Sequence, residues 1–168
     1  NLSYCPAVIL NDEIISENPE GGTGKGLFIN ALAKMKKCVT IDGKSFSFEK
    51  SFAYQLVSTD TQIICFDDVK KSFDFEKLFS VITEGLTIEK KNKDSLKIPF
   101  EKSPKVALTT NYALKGKGSS FERRKWDLEL AQFYTKDFTP LVEFGQLMFG
   151  EWDDNEWCQF DNYMMSNL

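Results

Sequence analysis

The chain has 168 residues, 42% of them hydrophobic, and a formal net charge of -4; that length buries one full core and leaves too little chain for two independent ones. No apolar run approaches the roughly 20 residues of a membrane helix, and the absence of histidine removes every Ser-His or Cys-His nucleophile. The four cysteines, Cys5, Cys38, Cys65 and Cys158, form no Cys-x-x-Cys pair, which argues against zinc and for reduced core thiols in a cytoplasmic protein with no membrane association.

Residues 7 to 16, "AVILNDEIIS", are two short apolar runs split by Asn11-Asp12, the pattern of a hairpin or an interrupted strand. They lead into "NPEGGTGKG" at 18 to 26, a glycine cluster with Lys25 near its end. From Gly26 onward, Phe28, Ala31, Leu32 and Met35 recur at helical spacing, which predicts a helix burying that face and closing on lysines. The glycine loop therefore joins a strand to a helix.

"CVTIDGKSFSF" alternates around Asp42-Gly43 and predicts a hairpin. "TQIICFDDV" is a continuous apolar run ending in two carboxylates, the composition of a buried parallel strand. A second hairpin is predicted at "GLTIEKKNKDSLKIPF", where Leu86 and Ile88 face Leu96 and Ile98 across a tip carrying Lys90, Lys91, Asn92 and Lys93. "KVALTTN" is another buried strand closing on Asn111, and "KGKGSSFERRK" mixes flexible glycines with charge. Trp126 and Phe133 beyond it read as core aromatics. Strands alternating with helices predict an α/β domain with a mainly parallel sheet covered on both faces.

The net charge hides an asymmetry. After Lys136 there is no Lys or Arg but seven acids, leaving 21 basic against 18 acidic residues over positions 1 to 136, a net of +3. In the acidic tail, Asp153 and Glu156 fit a capping box and Trp157, Phe160 and Met164 share a helical face, expected to pack on the core.

Ligands of open parallel sheets lie at the carboxyl ends of strands, where the glycine loop, Asp67-Asp68 and Asn111 all fall. Such a loop can turn its N–H groups onto phosphate oxygens, the following helix adds its positive end, and Lys25 adds a full charge. Each feature alone also fits an ordinary turn or cap. Their order carries more information than any one of them.

In order, "GGTGKG", "IICFDD", the lysine-tipped hairpin, "KVALTTN" and "SSFERRKWDLELAQFY" resemble the ATPase core of superfamily 3 helicases. More narrowly, they are similar to the helicase portion of primase-helicase proteins from phages and bacterial mobile elements. The resemblance spans about residues 7 to 135 and implies a three-layer P-loop NTPase of AAA+ type, with 1–135 as the ATPase core and 136–168 as a helical tail of the same domain. It implies ATP and Mg²⁺ as cofactors. Gly21, Gly22, Thr23, Gly24, Lys25 and Gly26 would line the phosphates, Asp67 would hold Mg²⁺, Asp68 would polarise the attacking water and Asn111 would sense the γ-phosphate. Arg123 or Arg124 falls where the family carries an arginine finger for the neighbouring subunit.

Lys90, Lys91 and Lys93 would grip single-stranded DNA in the channel of a ring, expected to be a hexamer. The chain itself, starting at Asn1, reads as a segment of a longer protein whose missing N-terminal part is expected to include a primase. Two residues depart from the family pattern: Pro19 stands for the first Gly, and Gly26 for the Ser or Thr that ligates Mg²⁺. The implied function is a DNA helicase or translocase module of a replication protein. The alternatives are a catalytically weak, nucleotide-dependent assembly scaffold and, less compatible with Asn111 and the arginines, a small-molecule phosphotransferase.

Overall fold

The computed structural model describes residues 5–14, 21–92 and 94–167. In chain order it contains β1 (Ala7–Asp12), α1 (Lys25–Met35), β2 (Cys38–Asp42), β3 (Ile63–Val69), α2 (Phe79–Thr83), β4 (Gly85–Ile88), β5 (Leu96–Pro99), β6 (Lys105–Thr110), α3 (Ser119–Glu122), β7 (Lys125–Leu130), α4 (Pro140–Phe144) and α5 (Asp154–Ser166). A five-stranded sheet in the order β2-β3-β6-β1-β7 is parallel throughout, and β4 and β5 form a separate antiparallel pair. The chain divides into two compact units, Asn1–Gln132 and Phe133–Leu168.

Strands β1, β3 and β6 are apolar on both faces because both faces are covered, as parallel sheets require. Ala7, Ile9, Ile64, Phe66, Val106 and Leu108 point into one core with Phe75, Leu78, Val81 and Ile82 from around α2. On the other face, Leu10, Cys65 and Ala107 meet Ile29 and Leu32 of α1. Removing side chains of this size from water contributes roughly 1.5–3 kcal/mol each. The alternation along each strand thus decides which residues belong to the α1 face, and it continues past the core to the strand ends.

Several local expectations change. Asn11-Asp12 is not a break: β1 runs through Asp12, paired to Leu130 of β7. The buried face of α1 is rotated by one residue, with Ile29 buried at 4% and Phe28 exposed at 42%. Asp42-Gly43 makes no hairpin, since β2 pairs in parallel with β3 and no strand lies between them in the chain. There the chain instead approaches β3 closely. Gly43 donates its N–H to the Asp67 carbonyl at 2.6 Å, and a Cβ on it would lie 2.5 Å from Val69 Cγ1. The alternating Phe46 and Phe48 then pack in the aromatic cluster with Phe66 and Phe73 rather than forming a strand.

The second predicted hairpin is present, with Leu86 opposite Ile98 and Ile88 opposite Leu96. Asn92 takes the left-handed conformation at its turn (φ 57°), a position Asn tolerates better than most residues. Trp126 and Phe133 are not core residues; each is 61% exposed. Trp126 lies on the sheet-edge strand β7, where the α1-side core reaches Leu128 and Leu130 only. All four cysteines are free thiols, but Cys158 is exposed on α5 rather than in a core.

Within the second unit, Thr139 caps α4 by accepting the Val142 N–H, Pro140 occupies the first turn and Gly145 (φ 69°) ends it. Helix α5 starts with the capping box expected of Asp153 and Glu156. Trp157 and Phe160 pack with Phe149 and Trp152. Among the described residues no helix is long and apolar enough to cross a membrane.

Candidate functional site

On the α1 face, Leu10 of β1, Cys65 of β3 and Ala107 of β6 are followed two residues later by Asp12, Asp67 and Thr109. Period-two alternation therefore gathers three polar side chains on one face at the carboxyl edge. Register places Phe66 beside Leu108 and Leu10 beside Thr109, so β6 lies between the carboxylates of β1 and β3. Two strand spacings separate these outer strands by about 10 Å.

The glycine loop reaches the same edge. Gly21, Gly22 and Gly24 have φ of 70°, 82° and 95°, backbone that L side chains rarely adopt, and Gly24 is the N-cap of α1 with no side-chain cap. The N–H groups of Gly22, Thr23 and Gly24 donate to no backbone carbonyl of a described residue. The first turn of α1 contains no acid. This end of the helix offers positive potential to an anion, and N–H donors that no backbone carbonyl of a described residue satisfies.

Lys25, the first residue of α1, is engaged internally. Its ammonium is ion-paired with Asp12 Oδ1, the two side chains being 11% and 9% exposed, and it lies 3.1 Å from Thr23 Oγ1. Thr23 donates its own hydroxyl to the same Asp12 oxygen at 2.5 Å. Asp12 is thus a site residue that the sequence reading missed. The available signal was an acid at the end of an apolar run just before a glycine loop.

Asp67 and Asp68 diverge because the ladder between β3 and β6 shifts register between Phe66 and Val69, where Asp68 adopts φ 54°. Thr109 bridges the irregularity, donating to Asp67 Oδ1 at 2.6 Å and accepting the Asp68 N–H at 2.7 Å. The Asp68 carboxylate turns outward, 39% exposed, to an ion pair with Lys44, and this hydrogen bond holds the Lys44 ammonium above its ordinary pKa. Thr109 and Lys44 were likewise not singled out from sequence. Both are recognisable only once β2 and β6 are known to flank β3.

Asn111 follows β6 directly, and its Oδ1 is buried without a hydrogen-bond partner among the described residues. The Asn11 Oδ1 on β1 is in the same state. Buried amide oxygens are normally satisfied, so Asn111, two residues past Thr109 in the chain, has accepting capacity that no described residue uses. Tyr112 continues the chain from there, its N–H held by Thr110 Oγ1 at 3.0 Å.

The two arginines differ. Arg124 donates from Nη1 to the Ser120 carbonyl at 3.0 Å, and its guanidinium carbon lies 4.7 Å from the centre of the Phe79 ring, so it is engaged within the chain. Arg123 is exposed; its backbone N–H donates to the Ser119 carbonyl at 3.1 Å, and its guanidinium has no hydrogen bond or ion pair with a described residue. Lys90 and Lys91 lie at the β4–β5 turn in the second sheet, Lys91 exposed, and no ion pair joins them to the strand-end cluster. Lys93 and Pro19 lie outside the described residues.

Taken together, fold and site define an α/β protein whose mainly parallel sheet carries a glycine loop, a lysine and carboxylates at one edge. Residues 18–124 match the family of unknown function DUF5906, and the chain belongs to that family. No curated protein matches. Among solved structures, the fold is similar to the A-form apo structure of the NrS-1 C-terminal region, with a TM-score of 0.52 and 16% identity over 95% of this chain and 34% of that one. A second structure of that region, 305–718, gives a TM-score of 0.50 and 18% identity, covering 94% and 33%. The chain spans about a third of the length of these structures.

Proposed function

We propose that this chain is a P-loop ATPase core of AAA+ and superfamily 3 type, the motor segment of a DNA helicase or translocase acting in replication. One observation carries the reading: the glycine loop, Lys25 at the start of α1, and Asp67 fixed by Thr109 share one face of one sheet edge. A spacing of about 10 Å between the strands that present them leaves room for a phosphate chain and its cation.

The residues fit ATP and Mg²⁺ chemically. The uncapped N–H groups and Lys25 would hold the phosphates, and Asp67 would hold the cation through its water shell. Mg²⁺ would supply charge neutralisation of the phosphates. Asn111 Oδ1, as an acceptor, would orient a water rather than a bare phosphate oxygen, and Asp68 would take that water's proton after parting from Lys44. Arg123, whose side chain has no partner among the described residues, is the better finger for a neighbouring subunit's site. Lys90, Lys91 and Lys93 would bind the DNA backbone as point charges without reading sequence.

A scaffold that binds nucleotide with little turnover is favoured by Gly26, which offers Mg²⁺ no hydroxyl, and by the engagement of Lys25 with Asp12. Steady-state ATP hydrolysis by the full-length protein, with and without single-stranded DNA, separates the two. DNA-stimulated turnover that disappears in Asp68→Asn with nucleotide affinity retained is the expected result. Tight nucleotide binding without turnover would establish the scaffold, and absence of nucleotide binding would overturn both.

A further inference from the structure

We infer that Asp12 is the internal counter-ion of Lys25, a positioning residue that occupies the lysine in the nucleotide-free protein and that incoming phosphate must displace. The inference rests on the nucleotide-site reading above and adds to it a residue outside the glycine loop.

Three contacts carry it. Asp12 Oδ1 receives both the Lys25 ammonium and the Thr23 hydroxyl, at 2.5 Å for the latter, and Lys25 closes the triangle on Thr23 at 3.1 Å. The strand makes this arrangement possible, because Asp12 is the last residue of β1 and alternates onto the face that α1 covers. Both charged side chains are about nine-tenths buried, so the pair is largely shielded from bulk water. Lys25 is the only cation at the start of α1, and here it is already neutralised.

A phosphate bound by that helix end and by Lys25 would approach within two hydrogen-bond lengths of Asp12, about 5–6 Å. Like charges at that range oppose one another, and burial strengthens the opposition. Lys25 therefore has two exclusive partners. With Asp12 it ties the start of α1 to the end of β1; with phosphate it leaves Asp12 to Thr23 alone. Asp12 therefore lowers nucleotide affinity.

The test is a titration of ADP, with and without Mg²⁺, into the full chain carrying Asp12→Asn, Lys25→Met or both. Asparagine still accepts from Thr23 but carries no charge. Asp12→Asn is expected to tighten ADP binding about tenfold without Mg²⁺, to tighten it by a smaller factor when Lys25 is already Met, and to lose its effect in the charge-restoring Asp12→Glu; an equal gain in the Lys25→Met background would assign the effect to repulsion alone and overturn the counter-ion role. If Asp12→Asn does not fold, Asp12→Ser, which keeps an oxygen for Thr23, is read in the same way. Unchanged or weakened binding in Asp12→Asn, while Lys25→Met still impairs binding, overturns the inference and leaves the nucleotide site standing. Weakening only in the presence of Mg²⁺ would make Asp12 a cation ligand and also overturn it. Absence of ADP binding by the wild-type chain removes the site and the inference together.

Discussion

The hydroxyl of Thr109 on β6 is bonded to Asp67 on β3 at 2.6 Å, and the same oxygen accepts the N–H of Asp68 at 2.7 Å. A single neutral side chain, 2% exposed, thus fixes the direction of one carboxylate and the backbone beneath the next. Both bonds cross between strands and fall where the ladder is irregular.

Replacing Thr109 with Val keeps the shape and removes both bonds. The Asp68 N–H then loses its partner, and stability should fall by about 1–3 kcal/mol, read as a lower denaturation midpoint. Asp67 should lose its fixed orientation, raising the Mg²⁺ concentration needed for half-maximal nucleotide binding. Thr109→Ser should restore both quantities. A Val variant with wild-type stability and Mg²⁺ dependence would show that the hydroxyl positions nothing.

Gly43 tests the contact between β2 and β3. A methyl group there meets Val69 Cγ1 at 2.5 Å and the Asp67 carbonyl at 2.8 Å, the first on a fully buried β-branched side chain and the second backbone, so neither can give way easily. Gly43→Ala should therefore destabilise by about 1–3 kcal/mol, the range for overpacking. It should also loosen the Lys44–Asp68 pair that follows. Equal urea midpoints for the two proteins would contradict the packing at this point.

The lysine hairpin separates a DNA-binding element from a solvated turn. Replacing Lys91 and Lys93 with Ala should weaken single-stranded DNA binding and make its salt slope shallower by about 0.7 per lost phosphate contact. Basal ATP hydrolysis should persist while its stimulation by DNA is lost. Identical affinity and slope in wild type and variant would reduce the hairpin to a surface turn.

Burial pushes the Cys65 thiol from an ordinary 9.0 to about 12, with Asp67 and Cys38 adding to the effect. Burial likewise raises Tyr54 from 10.0 to about 12. In both cases the unfolded chain ionises first and the folded chain keeps its proton. Stability is therefore fully present below about pH 9 and falls as pH rises toward 12. Cys65→Ala should flatten the decline of the melting temperature between pH 9 and 11. An unchanged alkaline profile in that variant would assign the loss to other groups.

Much of the secondary structure of both units was legible because its signals are local. Continuous apolar runs marked β3 and β6, Leu86, Ile88, Leu96 and Ile98 marked the β4–β5 hairpin, and Asp153 with Glu156 marked the start of α5, each determined by residues a few positions apart. Asp42-Gly43 misled for the complementary reason. A dipeptide suited to a tight turn was used where β2 must pass β3 closely, a demand set by a neighbour some two dozen residues away.

By itself, the sequence determined the alternation of strands and helices, the glycine loop before α1, and the presence of Lys25, Asp67, Asp68 and Asn111 at element ends. Hydrophobic periodicity and turn chemistry suffice for these, since each acts over one or two turns of chain. The tertiary structure decided which of these side chains meet. Strand order put β6 between β1 and β3, so that Thr109 reaches both acids of β3. Alternation along β1 put Asp12 under Lys25, and packing on Phe79 tied up Arg124 while leaving Arg123 exposed. Such pairings depend on sheet order and register, which are fixed by burial summed over the whole core and are written in no single stretch of the chain.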